Sequence, residues 1–251
     1  MIAVTSYDEL VVAVEREAAA ITDAFRAGSS DAAVPTCPDW DISALAHHLG
    51  EFTALWTHVV CEATGREKTP YQPAPPRERE PLADWYRELS AHLVDGLRGT
   101  TSDQPAWTWV PSQQHVGFIA RRCANELVVH RFDAQAARGT CDPIETALAA
   151  ECVLEIPDLV EGWAQEGDYR HEGSGRRIHL CPTDAAHELT LTLAPDSLDI
   201  DRGHTDDADL VLRGTTSDLT LVLYDRHPLR PVDRTGDESV LAAWYEEFHF
   251  G

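Results

Sequence analysis

The spacing of the apolar residues changes once along this chain, and that change constrains the fold more than any other feature. Up to about residue 165 apolar positions recur at helical spacing; beyond it they alternate. In the first part Leu10, Val11, Val14, Ala18, Ile21 and Phe25 form one stripe, and Ser6 with Glu9 has the form of a capping box. VPTCPDWD at 34–41 reads as a Pro-punctuated loop whose Asp41 caps a second helix over about 42–63. TPYQPAPPREREP at 69–81 reads as a surface connection before a third helix, about 82–97. A loop bearing Trp107 and Trp109 leads to a fourth over about 116–137, and a fifth covers about 143–165. In the second part ELTLTLAP (188–195) and DLVLRGT (209–215) predict half-buried strands, with a hairpin or short strand in the turn-rich DSLDIDRGHTDDA between them. SDLTLVLYDR (217–226) predicts a helix capped by Ser217, and DESVLAAWYEEF (237–248) a terminal amphipathic helix. The expected class is α+β: a helical domain over 1–160 followed by a small α+β domain over 161–251.

Composition narrows the partners. A net charge of −23 argues against a nucleic-acid partner, because phosphate binding rests on clustered Lys and Arg. No run approaches the roughly 18–20 apolar residues of a membrane span, and MIAVTSYDEL lacks the basic start of a secretory signal, so a cytoplasmic location is expected. The cysteines at 37, 61, 123, 141, 152 and 181 include no CxxC pair and read as buried small hydrophobes rather than a disulfide framework. Cys123, three residues before Glu126, is the one placed to line the same cavity as that carboxylate.

The candidate chemistry rests on His48, Glu126 and His130. Glu126 and His130 are four apart, so on a helix their side chains share a face and can close on one ion. His48, on the apolar face of another helix, would supply a third ligand, while His47 points about 100° away. Two imidazoles and a carboxylate with an open fourth position form the donor set of a catalytic zinc, and suit other divalent metals. A carboxylate among Leu127, Val128 and Val129 is costly to bury without a partner. Asp133, three after His130, is placed to orient its imidazole. Trp107 and Trp109 read as core, or as an aromatic wall near the site.

VPTCPDWDISALAHHLGEF (34–52), NELVVHRFDAQAARG (125–139) and DADLVLRGTTSDLTLVLYDR (207–226) together resemble the mycothiol-dependent maleylpyruvate isomerase family. That resemblance implies a DinB-like up-down four-helix bundle that binds metal, followed by a sterol-carrier-like C-terminal domain. It implies His48, Glu126 and His130 as ligands of zinc or another divalent metal, mycothiol as thiol co-substrate, and Arg226 as the catalytic arginine. The family's usual Trp-Gly pair before this arginine is Tyr224-Asp225 here. The expected activity is isomerisation or S-transfer on a small electrophilic substrate through a metal-held thiolate, in a monomer or homodimer. Arg226 would meet the substrate's negative charge, since the bundle segments show no obvious cation for it. The alternatives are a metal-dependent hydrolase and a non-catalytic ligand-binding protein of the same fold.

Overall fold

The computed structural model of the protein describes residues 5–62, 75–166, 173–195 and 197–248. The described residues divide into two compact units, one of 5–108 with 113–142, the other of 109–112 with 143–248. The first holds four helices, α1 (Tyr7–Ala27), α2 (Ile42–Glu62), α3 (Arg79–Arg98) and α4 (Val116–Ala136). α1 begins at the expected capping box: the Ser6 hydroxyl accepts from Glu9 N–H while the Glu9 carboxylate accepts from Ser6 N–H. Asp41 caps the start of α2 by accepting from Ala44 N–H at 2.8 Å. α1 and α2 each pack on both α3 and α4, α1 most extensively on α4 and α2 most extensively on α3. Gly50 admits the Trp85 ring between α2 and α3, at a position where a Cβ would collide with it.

α4 is buried nearly all round, from Val116 to Ala134, although it carries charged residues. Those charges are paired, as burial demands. Arg131 meets Glu17 of α1 at 2.9 Å and also donates to Gln135 and the Asp142 carbonyl. Cys123 is fully buried in this helix.

The second unit holds α5 (Thr146–Glu166), β1 (Arg177–Pro182), β2 (Leu189–Ala194), β3 (Ser197–Arg202), β4 (Leu210–Gly214), α6 (Thr216–Leu223), β5 (Asp233–Gly236) and α7 (Ser239–Glu247). The strands form one sheet in the order β3-β2-β1-β4-β5, antiparallel except for the parallel pair β1–β4. α5 packs on α6 and β3 and so groups with the sheet, whereas the sequence reading ended the helical domain at about residue 160, inside this helix. α6 is a helix, as its pattern predicted, but Thr215 rather than Ser217 caps it, accepting from Asp218 N–H. It ends in a Schellman motif: Arg226 N–H donates to the Leu221 carbonyl and Asp225 N–H to the Val222 carbonyl. Asp225 there takes φ +56°, the left-handed conformation usually left to glycine. Among the described residues no helix is long and apolar enough to cross a membrane.

Candidate metal centre

His48 and His130 approach each other from α2 and α4, with ring centroids 4.8 Å apart and nearly perpendicular. Glu126 completes the group from one turn before His130. Its Oε1 lies 2.9 Å from His48 Nε2 and 3.5 Å from His130 Nε2. The donor atoms of all three residues fall within 4.8 Å of one another. The sequence therefore grouped these side chains correctly in space. His47, as expected, turns outward and meets Glu51 at 3.6 Å.

Two of the three donors, His130 and Glu126, are held from behind. His130 Nδ1 lies 2.8 Å from Asp133 Oδ2, which fixes the tautomer so that Nε2 faces the shared point. Asp133 is fully buried and also accepts from the Cys37 thiol at 3.7 Å. Glu126 divides its two oxygens, Oε1 toward the imidazoles and Oε2 to the Arg122 guanidinium, one turn earlier on α4. Arg122 in turn lies over the Phe52 ring, 5.9 Å from its centroid. Burial, reinforced by the neighbouring His130 and the Arg122 guanidinium, pushes the His48 pKa down to about 3. His48 is thus neutral near pH 7 and has a lone pair to offer. Two imidazoles and a carboxylate converging on one point fit a divalent ion of zinc type.

The loop before α2 roofs the site. Hydrogen bonds from Val34 N–H to the Trp40 carbonyl, and from Trp40 N–H to the Cys37 carbonyl, fold it tightly. It sets the Trp40 ring 5.1 Å from His48 and stacks it on His130 at 6.0 Å. Sequence reasoning took 34–41 as a capping loop and as part of the family resemblance, but gave Trp40 and Cys37 no place at the site. It also missed Arg122, although Arg122, Glu126 and His130 repeat every four residues and so share a helix face. Arg122 corrects the expectation that the bundle shows no obvious cation near the site. Trp107 stacks on Trp56 with centroids 6.4 Å apart. Arg226 lies in the other unit, buried at the end of α6, where its guanidinium donates to the Tyr224 carbonyl at 2.6 Å.

Residues 11–135 match the mycothiol maleylpyruvate isomerase N-terminal domain. No curated protein matches the chain. Among solved structures, a mycothiol-dependent maleylpyruvate isomerase aligns with a TM-score of 0.57 at 12% identity, over 92% of this chain and 93% of its own. A histidine-to-alanine variant of a mycothiol-dependent maleylpyruvate isomerase aligns with a TM-score of 0.54, also at 12% identity, over 88% of each chain. At that identity the likeness establishes the fold: an N-terminal helical bundle followed by a β-containing domain. By the domain that spans its metal-ligand candidates, residues 11–135, the chain carries the N-terminal domain of the mycothiol maleylpyruvate isomerase family.

Proposed function

We propose that this protein is a metal-dependent enzyme that takes mycothiol as co-substrate and carries out isomerisation or S-transfer on a small electrophilic substrate. The observation that carries this reading is the convergence of His48, Glu126 and His130 on one point, which supplies three donors. A divalent ion held there supplies Lewis acidity, which keeps a thiol sulfur ionised at neutral pH. Asp133 holds the His130 ring in the ligating tautomer. Arg122 anchors the far oxygen of Glu126, leaving the near one for the ion. Trp40 covers the two imidazoles and limits water at the reacting sulfur. Arg226, on the family resemblance, pairs with the carboxylate or enolate charge of the substrate.

The test combines metal content with thiol dependence. His48→Ala and His130→Ala are each expected to bind about one divalent ion fewer than the wild type. Conversion of small α,β-unsaturated or strained-ring electrophiles should occur with mycothiol and stop without it. Full metal content in both variants would overturn the ligand assignment. Hydrolysis of esters or amides at full rate with no thiol present would make the protein a hydrolase instead.

A further inference from the structure

A second group of donor side chains lies in the sheet-containing unit. β1 places His179 and Cys181 two residues apart, so both emerge on one face of the sheet. Opposite them, His179 pairs with Thr190 and Leu180 with Leu189, which brings Glu188, just before β2, across from Cys181. The chain then turns after β3 at Gly203, whose φ of +109° only glycine adopts readily and whose N–H donates to the Glu188 carbonyl at 2.9 Å. That turn brings His204 back beside Glu188. Glu188 Oε2 lies 2.9 Å from His204 Nδ1 and 3.2 Å from His179 Nε2, and the two rings stand 5.6 Å apart.

The donor atoms of His179, Cys181 and Glu188 all fall within 4.8 Å of one another. Donors at about 2.0–2.3 Å from a tetrahedral zinc sit roughly 3.3–3.8 Å apart, so only a small side-chain adjustment separates this group from a bound geometry. His179 is 1% exposed and Cys181 7%, both on the central strand of the sheet. The Thr190 hydroxyl lies 2.9 Å from His179 Nδ1 and holds the ring with Nε2 toward the cluster. The same device appears at the bundle site, where Asp133 holds His130.

We propose that His179, Cys181, Glu188 and His204 form a second divalent-cation site, independent of the first, for a thiophilic ion such as zinc. A thiolate and a carboxylate balance the two charges of the ion, and four protein donors leave no open position. The site is therefore structural. It ties β1 to the start of β2 and to the turn after β3, so that loading stiffens one end of the sheet. None of this depends on the reaction assigned to the bundle.

Cobalt(II) titration of the chelator-stripped, full-length protein tests it, because only a thiolate ligand gives the near-ultraviolet sulfur-to-cobalt charge-transfer band. The wild type should bind about two ions and show the band. Cys181→Ser should lose the band and one ion. His204→Ala, a change at an exposed side chain that leaves the strands intact, should weaken the ion giving the band about tenfold or more. His48→Ala should lose the other ion and keep the band. A wild type without the band overturns the proposal. So does a band that is unchanged in the Cys181 and His204 variants, or one that disappears in His48→Ala. Failure of the bundle site would instead appear as full metal retention in His48→Ala with the band unaffected.

Discussion

Asp133 has no solvent exposure, yet its carboxylate is committed to orienting a neighbour's imidazole rather than to closing a surface ion pair. Asp133→Ala should therefore lower metal affinity at the bundle site about 10–100-fold, measured by competition against a chelator. Asp133→Asn, which keeps an acceptor, should lose less. Equal affinity in wild type and both variants would show that His130 needs no such support. Among individual residues, the three ligand candidates were legible because helical periodicity is itself a spatial statement: Glu126 and His130 sit one turn apart. Arg122 was legible by the same spacing and was passed over. Trp40 and Cys37 were not, because the approach of Trp40 to the imidazoles and of Cys37 to Asp133 is set by hydrogen bonds within an irregular loop. No period encodes that geometry.

Helices were readable nearly to their ends, since each apolar stripe is bounded by a cap or a break. β1 was missed because the polar–apolar alternation of RIHLCP runs only from Arg177 to Leu180, and both faces of the strand are buried, His179 as fully as Ile178 and Leu180. β5 was missed for the opposite reason: DRTG is exposed throughout and carries no apolar signal. The Tyr224-Asp225 departure from the family's Trp-Gly falls at the end of α6, where Asp225 occupies the position of the Schellman motif that favours glycine. Asp225→Gly should raise the stability of the protein by about 1 kcal/mol, seen as a higher denaturation midpoint with unchanged cooperativity. A lower midpoint would mean that the exposed carboxylate contributes more than the backbone strain costs.

For the whole molecule, the division into a bundle and a sheet-containing unit was legible from the change of period, but the side on which α5 falls was not. An amphipathic helix announces that it will be buried without saying against what. Arg226 is the residue through which the second unit is proposed to take part in chemistry. Arg226→Ala should keep metal bound at His48, Glu126 and His130 while lowering kcat/KM about 10²-fold, the scale of one charge-stabilising donor. Arg226→Lys should rescue little, because a point charge cannot replace a planar fork. Full turnover by Arg226→Ala would remove the arginine from the mechanism. The sheet has a consequence of its own. Its apolar strands β1, β2 and β4 lie inside, while the outermost strands are charged: SLDIDR in β3 and DRTG in β5. A neighbouring copy that tried to extend the sheet would set Asp199 and Asp201, or Asp233, against a chain of net charge −23. Strand addition is thus blocked at both borders, and the protein can be concentrated without its sheets seeding fibrils.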